Sequence, residues 1–178
     1  MIDAAAMLFA RHGVRSVGVG AIITSAGVAR ASFYRYFPSK NDLIAEWLRS
    51  SQARWLDEVR VETERRAATP RARLTVFFEV LGEWLAAGAP RGCPFLSTSA
   101  ELRDSTPAVR AALVEALDDV EGYLRDQAAA AGLTDPRSVG ARLRVISAGV
   151  MALSLALPDR TVATAGAQTA RLVVDGAA

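Results

Sequence analysis

Arg30, Ser32, Arg35, Tyr36 and Lys40 fall within a single run of the chain, and their side chains suit one kind of partner. A guanidinium is a planar fork of donors, matched to two phosphate oxygens or to the paired acceptors on the major-groove edge of guanine. The hydroxyls of Ser32 and Tyr36 suit phosphate oxygens, contacts that position a protein without reading sequence. Lys40 adds a point charge at the start of a following helix, where backbone N–H groups also favour an anion. The set fits a polyanion that offers both phosphates and base edges.

The flanking residues must hold these groups on one surface. Ala26-Gly27-Val28 precedes them, and Gly27 supplies the positive φ that a tight helix-to-helix turn needs. Pro38 stops the helix that carries Arg30 to Tyr36, because a proline has no N–H to continue it. Ser39, with Asp42 three residues on, predicts a capping-box start for the next helix. Phe33 and Phe37 are expected in the core, and Tyr34 has an apolar ring with a hydroxyl to expose. A short polar helix between a turn and a hard stop is the sequence form of a DNA-reading helix-turn-helix.

The same residues carry a resemblance. Ile2-Asp3-Ala4-Ala5, Leu8-Phe9, Gly13, Ile22, Ala26-Gly27-Val28 and Phe33-Tyr34-Arg35-Tyr36-Phe37-Pro38-Ser39-Lys40 resemble the DNA-binding domain of the tetracycline-repressor-like (TetR) family of bacterial regulators. The resemblance implies DNA contacts at Ala29, Arg30, Ser32, Tyr34, Arg35, Tyr36 and Lys40. Arg91-Gly92-Cys93-Pro94-Phe95-Leu96, Ala100-Glu101-Leu102 and Thr106-Pro107 further resemble the group in which a glycine-cysteine pair opens a short helix of the regulatory domain. Three features depart from the family pattern. The usual basic arm before the first helix is replaced by Met1-Ile2-Asp3, which implies fewer phosphate contacts. Val17, Gly18 and Gly20 stand where a hydroxyl and a polar or basic residue are usual, and Ile23 stands for a small alanine. Interior glycines cost about 1 kcal/mol each, so a short, weakly held second helix is expected.

Composition bounds the remaining possibilities. The 178 residues carry a formal charge of only +2, so global charge does not identify a nucleic-acid partner. Up to Ala45, however, five cations (Arg11, Arg15, Arg30, Arg35, Lys40) stand against Asp3 and Asp42. That local excess sits where phosphate neutralisation needs it. The absence of a secretory pattern, of a transmembrane-length apolar run and of more than one cysteine predicts a cytoplasmic protein without disulfides or a membrane partner. His12 is the only histidine, beside Gly13 at a helix end. No catalytic triad, metal set or phosphate-cradling glycine loop can be built, so an enzyme, a metal site and a cofactor are not expected.

Helical spacing dominates the chain and no strand signal stands out, so the fold class is all-α with about nine helices. A three-helix head over residues 1–38 precedes a regulatory and dimerisation bundle over 39–178. A connector helix from about 39 to 65 leads from one into the other, with Ile44, Trp47, Leu48, Ser51, Trp55 and Val59 as its apolar stripe. Thr69-Pro70, Pro94, Thr106-Pro107 and Asp135-Pro136 mark further helix starts, and Gly132 and Pro158 mark ends. Leu74, Phe77, Phe78, Leu81 and Leu85 line one helix, and Val109, Leu113, Leu117, Val120 and Leu124 are expected inward on another.

Trp55, Phe77, Phe78, Trp84, Phe95, Leu113, Leu117 and Tyr123 are expected to converge on either ordinary core or a pocket for a small apolar effector. Cys93, ahead of Pro94 and near Arg91, is either a small buried hydrophobe or a lowered-pKa thiol in a redox or electrophile sensor. The last two helices carry small and apolar residues that suit core or a two-fold interface. The resemblance favours a homodimer, and with it a repressor that leaves a near-palindromic operator when the effector binds. The rival reading is a helical ligand-binding or carrier protein that has lost DNA binding.

Overall fold

A computed structural model describes residues 1–87, 94–102, 106–157 and 160–177. The described residues form nine helices and no strand: α1 (Ile2–His12), α2 (Val19–Ala26), α3 (Arg30–Tyr36), α4 (Lys40–Arg66), α5 (Pro70–Ala86), α6 (Pro94–Glu101), α7 (Pro107–Ala130), α8 (Pro136–Ser154) and α9 (Arg160–Asp175). Their ends are written in local hydrogen bonds. Ser39 N–H donates to Asp42 Oδ2 at 2.9 Å, and Asp42 N–H returns a bond to Ser39 Oγ at 3.3 Å, closing the expected capping box. Thr69 Oγ1 accepts from Ala72 N–H at 3.3 Å ahead of Pro70, and Asp135 Oδ1 accepts from Ser138 N–H at 3.1 Å ahead of Pro136.

The chain forms two compact units, one of residues 1–53 with 94–116 and one of 54–93 with 117–178. Both α4 and α7 therefore contribute to each unit. The first unit closes over Phe9, Val14, Val17, Ile22, Phe33, Leu43, Ile44, Trp47, Leu48, Val109 and Ala112. Phe9 meets Trp47 edge-on with ring centroids 5.0 Å apart. In the same unit Gln52 is buried, and its Nε2 donates to the Ala116 carbonyl at 2.9 Å. The buried stripe of α4 thus passes through Gln52, with Ser51 half-buried beside it. Arg49 bridges to Glu115 through two hydrogen bonds, of 2.6 and 3.3 Å.

The second unit packs α5 against α9 and α9 against α8. Its core holds Trp55, Val59, Leu74, Phe77, Phe78, Leu81, Val120, Leu124 and Leu143. Near the end of α4, Glu62 binds Arg65 and Arg66, and Arg66 also reaches Glu83 of α5. The hydrogen bonds from Arg65 and Arg66 hold the half-buried Glu62 carboxyl down at about 2.

One inward assignment is corrected. Leu117 is 44% exposed, and the buried face of α7 runs through Val109, Ala112, Ala116, Val120, Leu124 and Ala128. Val109, Val120 and Leu124 are buried as expected, while in the turns between them Ala112 and Ala116 take the inward positions and Leu117 is turned out.

Candidate nucleic-acid interface

Gly27 ends α2 in the left-handed region, at φ 64° and ψ 32°. Its N–H donates to the Thr24 carbonyl and that of Val28 to the Ile23 carbonyl, both at 3.3 Å, the paired bonds of a Schellman turn. Ala29 then extends, at φ −71° and ψ 147°, and α3 begins. An L-side chain at position 27 pays for positive φ, so glycine fixes the angle between α2 and α3 cheaply.

Phe33 orients α3. It is fully buried and meets Tyr34 and Phe37 with ring centroids 5.2 and 5.8 Å away. Burial of such a ring stabilises by about 1.5–3 kcal/mol. With Phe33 pinned inward, Ala29, Arg30, Tyr34, Arg35 and Tyr36 are exposed and Ser32 is half-buried. Tyr34 and Tyr36 stand 45% and 60% exposed, high for aromatic side chains. Arg35 Nη2 donates to Tyr36 Oη at 3.2 Å, and the guanidinium carbon lies 4.9 Å from the Tyr36 ring centroid. The pairing holds Arg35 in a defined direction and leaves the Tyr36 O–H to donate outward.

Ala31 also lies exposed on α3 and escaped the sequence reading. The signal was present: two residues from Phe33 on a helix is the opposite face, and a methyl group there suits the methyl of thymine.

Lys40 has a partner inside the protein. Its Nζ donates to the Arg15 carbonyl at 3.3 Å, which leaves two of three donors for other contacts. Partial burial pushes its ammonium down from the ordinary value, and the nearby Glu101 carboxylate pushes it back up. Glu101 itself accepts the Arg15 N–H at 2.8 Å through Oε2. The α1–α2 turn is thus bonded to side chains from α4 and α6, a contact across 86 residues that no local pattern announces.

Residues 1–47 match the family described as bacterial regulatory proteins, tetR family, and residues 70–169 match a tetracyclin repressor-like C-terminal domain. The chain belongs to the TetR family. The first match covers the helix-turn-helix and the start of α4, and the second runs from α5 into α9. A curated relative, the HTH-type transcriptional regulator AcrR of Shigella flexneri, is 36% identical over 81 residues, which is 46% of this chain. That match spans 36% of the relative's own length. Among solved structures, a TetR-type transcriptional regulator of Streptomyces avermitilis superposes with a TM-score of 0.81 at 26% identity, over 99% of this chain and 94% of that one. A TetR-family regulator of Streptomyces coelicolor superposes with a TM-score of 0.80 at 23% identity, over 99% and 93% of the two chains, and shares the fold.

The residues expected around an effector divide between the two units. Trp55, Phe77, Trp84 and Tyr123 form a chain of rings in the second, with centroids 6.5 Å apart for Trp55–Phe77, 5.8 Å for Trp55–Trp84 and 6.0 Å for Phe77–Tyr123. Phe78 joins Phe77 at 5.2 Å. Phe95 and Leu113 pack instead in the core of the first unit, and Leu117 faces out. Cys93 lies outside the described residues. No group of three or more potential metal ligands occurs among the described residues, and no helix there is long and apolar enough to cross a membrane.

Proposed function

We propose that this protein is a DNA-binding transcriptional regulator, acting as a repressor on a near-palindromic operator, and not an enzyme. One observation carries the reading: a short helix, aimed by Gly27 and pinned by Phe33, exposes Arg30, Tyr34, Arg35 and Tyr36 together. Residues 1–38 would bind DNA, and 39–178 would bind an effector and dimerise. A cytoplasmic location accords with the lone cysteine, and Arg91-Gly92-Cys93-Pro94 supports membership of the glycine-cysteine group. The experiment is gel retardation of the protein's own promoter fragment over a salt series. Binding that weakens steadily with salt supports the reading, and no binding at low salt favours a carrier protein.

Dimerisation is assigned to α8 and α9. Val145, Leu153 and Leu172 stand 67%, 54% and 73% exposed on them, an apolar surface that a second copy would cover. The two reading helices would then meet half-sites a helical turn or more apart.

The effector is assigned to the aromatic cluster of the second unit, where polar atoms are buried without partners. Among the described residues Trp55 Nε1 and Gln127 Oε1 are buried without a hydrogen-bond partner, and the buried Thr63 and Tyr123 hydroxyls have only a weak, poorly aligned contact with each other, all on α4 and α7. Such atoms are uncommon in folded proteins and fit a site that a ligand or water completes. Burial, with the Glu64 carboxylate adding to it, pushes the Tyr123 phenol above its ordinary value, so it stays a neutral donor. An effector that binds the DNA-incompetent state more tightly would release the operator, and DNA would weaken the effector by the same factor. Tyr123→Phe is expected to raise the melting temperature of effector-free protein, because it deletes a buried hydroxyl whose one contact, with Thr63, is poorly formed. Removing a penalty of about 1 kcal/mol corresponds to about 2–4 °C at this size. Scanning calorimetry checks it; a clear fall would mean that the hydroxyl is already bonded.

A further inference from the structure

The turn between α1 and α2 is held in an unusual way. Val14 and Val17 bury their side chains in the first unit, while Arg15 and Ser16 between them are exposed. The Arg15 N–H is taken by Glu101 at the end of α6, and the Arg15 carbonyl by Lys40 in the first turn of α4. Gly13, at φ 78°, lets the carboxylate in: a Cβ there would stand 3.0 and 3.1 Å from its two oxygens. One residue's backbone is therefore gripped on both polar groups by side chains of opposite charge from two other helices.

We propose that Glu101 is a positioning residue for DNA binding, its carboxylate clamping the α1–α2 turn so that Arg15 and Lys40 are presented in fixed register with the reading helix α3. The proposal rests on the DNA-binding reading above. It runs against simple charge. An acid beside two cations lowers the local positive potential and opposes phosphate binding. On charge alone, removing Glu101 strengthens DNA binding. As a clamp, removing it weakens binding, because the turn that starts α2 loses a charge-assisted bond. The two accounts differ in sign.

Three variants of the full chain separate reach from charge. Glu101→Gln keeps the length and an accepting oxygen but not the charge. Glu101→Asp keeps the charge but is one methylene too short. Glu101→Ala keeps neither. Affinity for the promoter fragment is expected to fall about tenfold in the Asp and Ala variants, the scale of one hydrogen bond to a charged group, and to stay within about threefold in Gln. The dependence on salt should become shallower in Asp and Ala, where Arg15 and Lys40 lose their register on the phosphates, and stay unchanged in Gln. Amide exchange at Arg15, followed by NMR, should quicken in Asp and Ala and remain slow in Gln. Wild-type or tighter binding by the Ala variant overturns the clamp, as does an Asp variant that binds like wild type. If the wild-type chain binds no DNA, the functional reading fails, and the Arg15 amide in the Asp and Gln variants still decides whether the clamp exists.

Discussion

Replacing Arg30 and Arg35 together with alanine is expected to weaken promoter binding by at least about 100-fold while leaving the fold intact. Each arginine, whether bidentate to a base edge or clamped to phosphate, is worth about 1–3 kcal/mol. A dimer loses every such contact twice. Both side chains are exposed, so the cost to stability should stay within about 0.5 kcal/mol. The single variants should differ in kind. Where the lost arginine read a base, discrimination at one operator position relaxes. Where it met phosphate, binding falls evenly across sequences and the salt dependence drops by about one unit. Arg35 is the better candidate for a fixed, directional contact, because its bond to Tyr36 Oη holds the guanidinium before DNA arrives. Fluorescence anisotropy with wild-type and point-substituted fragments measures both. Wild-type affinity in the double variant would remove α3 as the reading element.

A second large effect is expected at the far end of the chain. Val145→Glu with Leu172→Glu places like charges on an apolar surface of α8 and α9 whose side chains are 67% and 73% exposed. If that surface joins two copies, the variant sediments as a monomer at micromolar concentration. Affinity for the two-half-site operator should then fall about 10²–10⁴-fold, since the second half-site is no longer bound intramolecularly. Binding to an isolated half-site should be nearly unchanged. An undiminished dimer mass in ultracentrifugation would place the interface elsewhere. A monomeric variant with full operator affinity would break the link between dimerisation and binding.

Local chemistry was legible in the sequence because its bonds join neighbours. Gly27, the Ser39–Asp42 box, Thr69-Pro70 and Asp135-Pro136 each predict a helix end, and the structure closes each with a bond spanning five residues or fewer. Phe33 and Arg35 were separable for the same reason, being two steps apart on a helix. Long-range partners were not legible. Nothing near Arg15 points to Glu101, and nothing near Gln52 points to the Ala116 carbonyl 64 residues on. On α7, Val109, Val120 and Leu124 face inward as their spacing predicts, but Leu117 does not, because leucine bulk outweighs in sequence the alanines that pack. For the same reason one aromatic list became two cores: Phe95 and Trp55 are alike in sequence terms, and tertiary packing sends them to different units.

The most direct test of a DNA-reading α3 is retardation of the protein's own promoter fragment by the wild-type chain from low to high salt, with Arg35→Ala alongside. The logarithm of the binding constant is expected to fall linearly with the logarithm of salt, with a large loss in the Arg35 variant at every concentration. A wild-type chain that leaves the fragment unshifted at low salt, or an Arg35 variant that shifts it equally well, would contradict a DNA-reading α3.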